Sequence, residues 1–545
     1  DRGVLGKNLG ASRSKRLSGP GVQEPGVKKT ALLRSTAVFS AMTLLSRLAG
    51  FARDVLQASL FGASAAMDAF VIAYRIPNYL RRIFAEGSFS SAFVPAYSTL
   101  KEQGDREAVR EFLDHVAGAL CAVVLVVAAL GMLAAPWIAA AFAPGALDQP
   151  GQIDTIAAML RVTFPYLVFI SMTALAGAVL NSHGKFGLAA VTPVLHNVAM
   201  IAAMLALAPL FDVKPMALAW GVLLAGALQF LLLWPALGRI GARPRFRVDF
   251  RHPAVRKVGA LMLPTLFSSS VAQLNLIVGT IFASLLVTGS QTWLYSADRL
   301  SEFPLGLFGV AIGTVILPHL SSRHAAGDGD GYARAIDWGL RMVMLAGVPA
   351  GVGLLMLAEP LASAMFQRGA FTAEDAKMTG LALSATAIAV PAFMLTKVLL
   401  AAFYSRQDTR TPMRAAVITV FINVALTAAI TTPLWRSGID GAHAGIALAT
   451  ALAGVANAAL LWAWLHRDGI YRTQPGWARY LLQVLGAAAL MAAALGVLRA
   501  SLGDFTAMPQ GARILTTLGC VAAGAVVYAL ALLALGVRPR QVWAH

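Results

Sequence analysis

VAGALCAVVLVVAALGMLAAPWIAAAFA, residues 116–143, runs without a single charged side chain. A helix needs about 20 mostly apolar residues to cross the hydrocarbon core of a bilayer, and this run is longer than that. Similar runs lie on both sides of it. Working outward gives spans near 32–57, 67–98, 155–181, 187–210 and 215–238 in the first part of the chain. A second group follows near 257–287, 293–320, 335–358, 376–403, 412–433 and 441–465, and a last pair near 478–499 and 512–536. The expected fold is an all-α polytopic membrane protein of about fourteen transmembrane helices.

Composition agrees. Of 545 residues, 58% are hydrophobic and 13% charged, with a mean hydropathy of +0.69. Soluble proteins are roughly 45–50% apolar and about 25% charged. Too little charge is left to cover a soluble surface, which excludes a soluble enzyme, a secreted disulfide scaffold and a disordered chain. The two cysteines, Cys121 and Cys520, both sit in apolar runs and are too few for a disulfide framework.

The formal charge is +18, from 44 Lys and Arg against 26 Asp and Glu. In a membrane protein such an excess first marks cytoplasmic loops rather than nucleic-acid binding. The connection after the sixth span holds Arg239, Arg243, Arg245, Arg247, Arg251, Arg256 and Lys257, and other even-numbered connections are also basic. Both termini are therefore expected in the cytoplasm, with residues 1–30 as a disordered basic tail. The expected location is the bacterial inner membrane.

The chain also repeats itself weakly. A slide of 223 positions lays Pro95 on Pro318, Ser98 on Ser321 and Gly104-Asp105 on Gly327-Asp328. A slide of 226 lays Phe164-Pro165 on Val390-Pro391 and Asn197-Val198-Ala199 on Asn423-Val424-Ala425. Spans 1–6 echo spans 7–12. Six spans bring the chain back to the same side, so the halves run parallel, as two six-helix lobes around a central cavity. The expected division is an N-terminal lobe at 31–238, a basic linker at 239–256, a C-terminal lobe at 257–466 and an extra pair within 478–536.

Charges inside spans cost at least about 2.5–3.5 kcal/mol at mid-helix unless they face a polar interior. The first span carries Arg47, Arg53 and Asp54; the second carries Asp68, Arg75, Arg81, Arg82 and Glu86; the eighth carries Asp298, Arg299 and Glu302. Asp68, Arg75 and Arg82 are seven apart and form one stripe, beside Pro77. One reading is structural: Asp54, Arg75, Arg82, Glu86, Asp298 and Glu302 as charge pairs between helices, and Asp68 as a gate partner for one of the arginines. The other reading takes the surplus cations Arg47, Arg53, Arg81 and Arg299 as the wall of a water-filled cavity that binds an anion. The planar guanidinium fork suits a phosphate or diphosphate.

Other polar residues read as less informative. His183, His196 and His319 stand singly and are expected to be satisfied interior or loop histidines, with no metal site. Lys397 is expected to snorkel to the membrane surface. Asn197 and Asn423 are expected to bond between helices. No Walker A sequence or nucleophile elbow occurs, so a transporter driven by membrane potential or an ion gradient, without ATP or cofactor, is expected rather than an enzyme.

Ser-Arg-Leu-Ala-Gly-Phe-Ala-Arg-Asp (46–54), Asp-Ala-Phe (68–70) and Pro-Asn-Tyr-Leu-Arg-Arg-Ile-Phe-Ala-Glu-Gly-Ser-Phe (77–89) closely resemble the MurJ (MviN) family. So do Tyr-Ser-Ala-Asp-Arg-Leu-Ser-Glu-Phe-Pro (295–304) and Phe-Tyr-Ser-Arg-Gln-Asp (403–408). These are the lipid II flippases of the multidrug/oligosaccharidyl-lipid/polysaccharide exporter superfamily, and the likeness runs from about residue 31 to the C-terminus. The resemblance implies fourteen helices in a V, the last pair forming a groove for the lipid tail. It implies a cargo of undecaprenyl diphosphate bearing the peptidoglycan disaccharide-pentapeptide, and wall-synthesis enzymes as further partners. The family's essential cavity arginines match Arg47, Arg53, Arg81 and Arg299, and its essential aspartate matches Asp68. A sodium site described for some members uses acidic side chains in the seventh and eleventh spans, where this chain has none. A flippase for another polyprenyl-linked oligosaccharide, or an exporter of the same superfamily, is the alternative.

Overall fold

The computed structural model describes residues 29–82, 88–306 and 310–537. Most of the expected N-terminal tail, and Glu86, lie outside them. Among the described residues the secondary structure is α-helix with short 3-10 turns and no strand.

The helices fall into two series of nine with the same order. The first is α1 (Lys29–Phe61), α2 (Ala65–Arg81), α3 (Ser88–Glu102), α4 (Arg106–Leu133), α5 (Ala135–Phe142), α6 (Gln152–Thr163), α7 (Tyr166–Ser182), α8 (Phe186–Leu207) and α9 (Met216–Arg239). The second is α10 (Pro253–Ser284), α11 (Ser290–Pro304), α12 (Val310–Ala325), α13 (Gly329–Met356), α14 (Ala358–Phe366), α15 (Ala373–Ala387), α16 (Val390–Tyr404), α17 (Arg410–Arg436) and α18 (His443–Arg467). Two further helices, α19 (Trp477–Leu502) and α20 (Gln510–Ala534), follow. The match is local as well. Asp105 caps α4 by accepting the N–H groups of Glu107 and Ala108, and Asp328 caps α13 by accepting that of Gly331. Each cap follows a glycine with positive φ, Gly104 at 77° and Gly327 at 69°. These are the Gly-Asp pairs the repeat aligns, and each cap stabilises its helix by about 1 kcal/mol.

By length and apolarity, nine segments among the described residues can cross a membrane, or ten if α15 and α16, bent by 44°, form one span. The sequence count of fourteen is not reached on that criterion. The four spans left over are the first, second, seventh and eighth. α1 carries Arg47, Arg53 and Asp54; α2 and α3 flank residues 83–87, and α11 and α12 flank residues 307–309, which lie outside the described residues, so neither pair counts as one span on this criterion. These are equivalent positions in the two halves. Three of these four, the first, second and eighth, carry the interior charges.

Packing is mostly within halves. α2, α6 and α9 bury Ile72, Met159 and Leu218 in one apolar cluster, and α3, α4 and α7 bury Phe93, Leu113 and Val179 in a second. A larger cluster holds Leu340, Leu383, Val398 and Leu461 of the second half. α19 and α20 bring Val484 and Tyr528 against α13. Elsewhere large apolar side chains point outward, among them Leu482, Val497 and Leu515, each 72–73% exposed. Such a surface requires lipid around it.

The chain leaving each half is tied back to it by a buried aspartate. Asp114 of α4 accepts the Arg245 N–H at 2.7 Å, and its own carbonyl accepts the Arg247 N–H at 3.1 Å. Asp337 of α13 accepts Tyr471 Oη and Trp477 Nε1, both at 2.6 Å, and pairs with Arg341 at 2.7 Å. Asp114 and Asp337 stand 223 positions apart, the spacing of the repeat.

Candidate functional site

A cavity of about 2010 Å³ lies in the helical bundle, and all four arginines of the anion reading are in its wall: Arg47 and Arg53 from α1, Arg81 from α2 and Arg299 from α11. Lys397 of α16 adds a fifth cation, against two carboxylates, Asp54 and Glu302. Arg53 is buried and fixed on two sides. Its Nε and Nη2 donate to Asp54 Oδ1 at 3.0 and 2.6 Å, and its Nη1 donates to Asn197 Oδ1 at 3.0 Å. Asn197 is oriented in turn by donating to the Ser46 carbonyl at 3.0 Å. Arg299 pairs with Glu302 at 3.0 Å, reaches Asp54 at 3.8 Å and lies over the Tyr295 ring at 4.9 Å. Arg47 is exposed and donates to the Gly306 carbonyl at 3.5 Å. Arg81 donates to Asn78 at 3.0 Å.

The stripe on α2 is directed elsewhere. Asp68 is buried and accepts the N–H groups of Gly289 and Thr292 at 2.7 and 2.9 Å and the Thr292 hydroxyl at 2.6 Å. It was expected to partner an arginine of the cavity; in this state it anchors the start of α11 instead. Gly289, with φ at 98°, turns the chain so that these amides converge on one carboxylate. Arg75 donates to Thr280 and Gln291 at 3.1 and 2.9 Å. Asp68 and Arg75 thus join α2 to the second half. Arg82 is exposed at the end of α2, and Asp298 is exposed within electrostatic range of Arg75.

A second contact between the halves closes beyond the end of α1. The Ala370 N–H donates to the Ser59 carbonyl at 2.8 Å. Two glycines permit this approach. A Cβ on Gly62 would lie 2.4 Å from the Ala370 oxygen, and one on Gly369 would lie 2.3 Å from the Ser59 oxygen. Both also have positive φ, 57° and 56°.

Several lining residues had no sequence signal. His196 stands in the cavity wall within range of Arg53, Arg81 and Arg299. Lys397, expected to snorkel, lines the cavity because α16 packs among α12, α13 and α18 with this face inward. Asn423 bonds Asn275 of α10 at 3.1 Å, as Asn197 bonds α1 in the first half. Away from the cavity, Glu111, His115 and His252 meet, the imidazoles stacked at 3.9 Å. His252 Nδ1 accepts the Ala254 N–H, which puts its proton on Nε2, facing Glu111 at 3.2 Å. In that tautomer His252 has no lone pair free, and its contacts read as a helix cap and a neutral hydrogen bond to Glu111.

The wall therefore offers fixed guanidinium groups to an anion inside a protein surrounded by lipid. Residues 57–508 match the family described as "Lipid II flippase MurJ". A probable lipid II flippase of Vibrio cholerae is 41% identical over 518 residues, covering 94% of this chain and 97% of its own. The lipid II flippase of Burkholderia cenocepacia is 41% identical over 466 residues, covering 85% and 89%. A solved lipid II flippase MurJ in an "inward closed conformation" superposes with a TM-score of 0.76 at 25% identity, over 91% of this chain and 98% of that one. An inward-facing multidrug transporter of the MATE family superposes at 0.63 and 13% identity, over 80% and 98%, which establishes shared architecture alone. This is a multi-pass transporter rather than an enzyme, and the chain belongs to the MurJ family.

Proposed function

We propose that this protein moves lipid II, the undecaprenyl-diphosphate-linked peptidoglycan precursor, from the cytoplasmic to the periplasmic leaflet of the inner membrane by alternating access. The observation that carries the proposal is the convergence of Arg47, Arg53, Arg81 and Arg299 on one cavity, with Arg53 held in place by Asp54 and Asn197. A diphosphate bound there accepts from several guanidinium forks at once. Its charge screens Arg53 from Arg299, lets the halves approach on the entry side, and so favours release of the seal between Ser59 and Ala370 on the far side. The basic connection after α9 faces the cytoplasm, as do both termini. The prenyl chain stays in lipid, along α19 and α20. The membrane potential, worth about 2.3 kcal/mol per elementary charge per 100 mV, helps return the empty cationic carrier.

The test is outward exposure of the lipid-linked precursor in cells depleted of the protein, with wild type, Arg53→Ala, Arg53→Lys and Arg299→Ala added back at equal abundance. Wild type restores exposure and both alanine variants fall at least about tenfold short. Arg53→Lys fails as well, because one ammonium cannot hold Asp54 and Asn197 and still present a fork. Persistent exposure in depleted cells would remove the transport reading. A flippase for another polyprenyl-linked oligosaccharide would then explain the same cavity.

A further inference from the structure

The cavity is larger than a diphosphate requires. Sites for drug-sized ligands run about 300–1,000 Å³, and this one is about 2010 Å³. The arginines come from α1, α2 and α11, which leaves the wall built by α10, α16, α17 and α18. In that wall Lys397 is the one charged residue among the described lining side chains, and neutral hydrogen-bonding groups accompany it, including Asn275, Thr419 and Asn457. Thr419 donates to Asn457 at 3.3 Å, which turns that pair toward one another across α17 and α18.

Among the described lining residues Lys397 has no carboxylate to answer it. The two lining carboxylates are engaged with Arg53 and Arg299, and among the described residues no ion pair to Lys397 occurs. Its side chain is exposed to the cavity. A cation kept on a cavity wall with no described carboxylate to answer it is available to an anionic group that arrives with the ligand. The type of cation is also informative. Guanidinium forks match phosphate oxygens, whereas an ammonium on a flexible four-carbon stem is a point charge that follows a group of variable position.

We propose that Lys397, with the amide N–H groups of Asn457, whose oxygen is taken by Thr419, forms a second anion subsite that holds a carboxylate of the cargo's peptide while the arginines hold the diphosphate. This rests on the flippase reading above. The subsite makes the transporter selective for the completed peptide-bearing headgroup, since a lipid diphosphate without peptide fills the arginine part alone.

The experiment measures equilibrium binding to the full chain in lipid nanodiscs, with two probes: the polyprenyl-diphosphate disaccharide-pentapeptide, and the same lipid with every peptide carboxylate converted to the amide. Wild type binds the first about tenfold more tightly than the second. Lys397→Gln loses that preference and binds the amidated probe as wild type does; Lys397→Arg keeps most of it. Arg53→Ala weakens both probes equally. Equal loss of both probes in Lys397→Gln, or no loss of either, overturns the peptide subsite while leaving the flippase reading in place. Failure of wild type to bind either probe, or indifference of both to Arg53→Ala, overturns the flippase reading and the subsite with it.

Discussion

Arg299 of α11 places its Nε 3.8 Å from Asp54 Oδ2 of α1, while the other oxygen of that carboxylate takes Arg53 at 2.6 Å. One carboxylate thus stands between guanidinium groups from opposite halves of the chain, at the wall of the cavity they share.

Asp54→Ala removes the carboxylate between Arg53 and Arg299, leaving Arg299 its pair with Glu302 and Arg53 its bond to Asn197. Arg299 is about one-third exposed, so solvent screens the pair and its contribution is about 1 kcal/mol. The population with the two halves apart on this side is expected to rise about fivefold. Spin labels on α8 and α17 read this as growth of the longer distance; an unchanged distribution would mean the ion pair holds nothing together.

Asp68→Ala removes the acceptor for two backbone N–H groups and a hydroxyl at the start of α11. Hydrogen bonds to a charged, buried acceptor are each worth about 1.5–3 kcal/mol, and the loss is expected to be about 3 kcal/mol or more. A lower midpoint of thermal unfolding in detergent checks it. Asp68→Asn, able to accept on one oxygen only, should fall between. If Asp68→Ala melts like wild type, the anchor is not what the residue supplies.

Gly369→Ala puts a methyl group where the Ser59 carbonyl lies, on backbone of positive φ. The seal between α1 and the loop before α15 cannot then close, and transport is expected to fall at least about tenfold with little change in cargo binding. The readout that separates these is binding measured beside flux. A parallel fall in both would point to misfolding rather than to a blocked seal.

Asp114→Ala and Asp337→Ala each free a connection. Trypsin is expected to cleave within 239–252 sooner in Asp114→Ala, where the Arg245 N–H loses its carboxylate acceptor, and within 468–476 sooner in Asp337→Ala. Each variant should leave the other site at the wild-type rate. Identical cleavage in all three proteins would show that the aspartates do not govern access.

Arg47, Arg53, Arg81 and Arg299 were legible because a charge in an apolar span stands out against its neighbours, and too few carboxylates lay near enough to pair with them all. Asn197 was legible as a bond between helices through its recurrence at Asn423, but its place beside Arg53 was not, nor were the cavity positions of His196 and Lys397. A single imidazole has no spacing to read, and a lysine near a span end looks the same whether it reaches headgroups or water inside the bundle. Asp68 was found, but its role depends on the backbone turn at Gly289, more than two hundred residues away in the chain. The helix order was legible through the Gly104-Asp105 and Gly327-Asp328 pairs. The breaks were less so: Pro391 stands at the bend between α15 and α16, yet the window 376–403 read as one unbroken span because its mean hydropathy stays high across the bend.

The tie between Asp114 and the segment at Arg245 has a consequence for how the gene can be cut. Each half keeps the segment that leaves it, fastened to its own third span, so a break placed after Asp249 severs neither fastening. Two polypeptides made separately, one ending at Asp249 and one starting at Phe250, should each insert and then find one another through Asp68 and Arg75. Continuity of the chain at that point would then be a convenience of synthesis, setting equal amounts of the two halves, rather than a requirement of the working assembly.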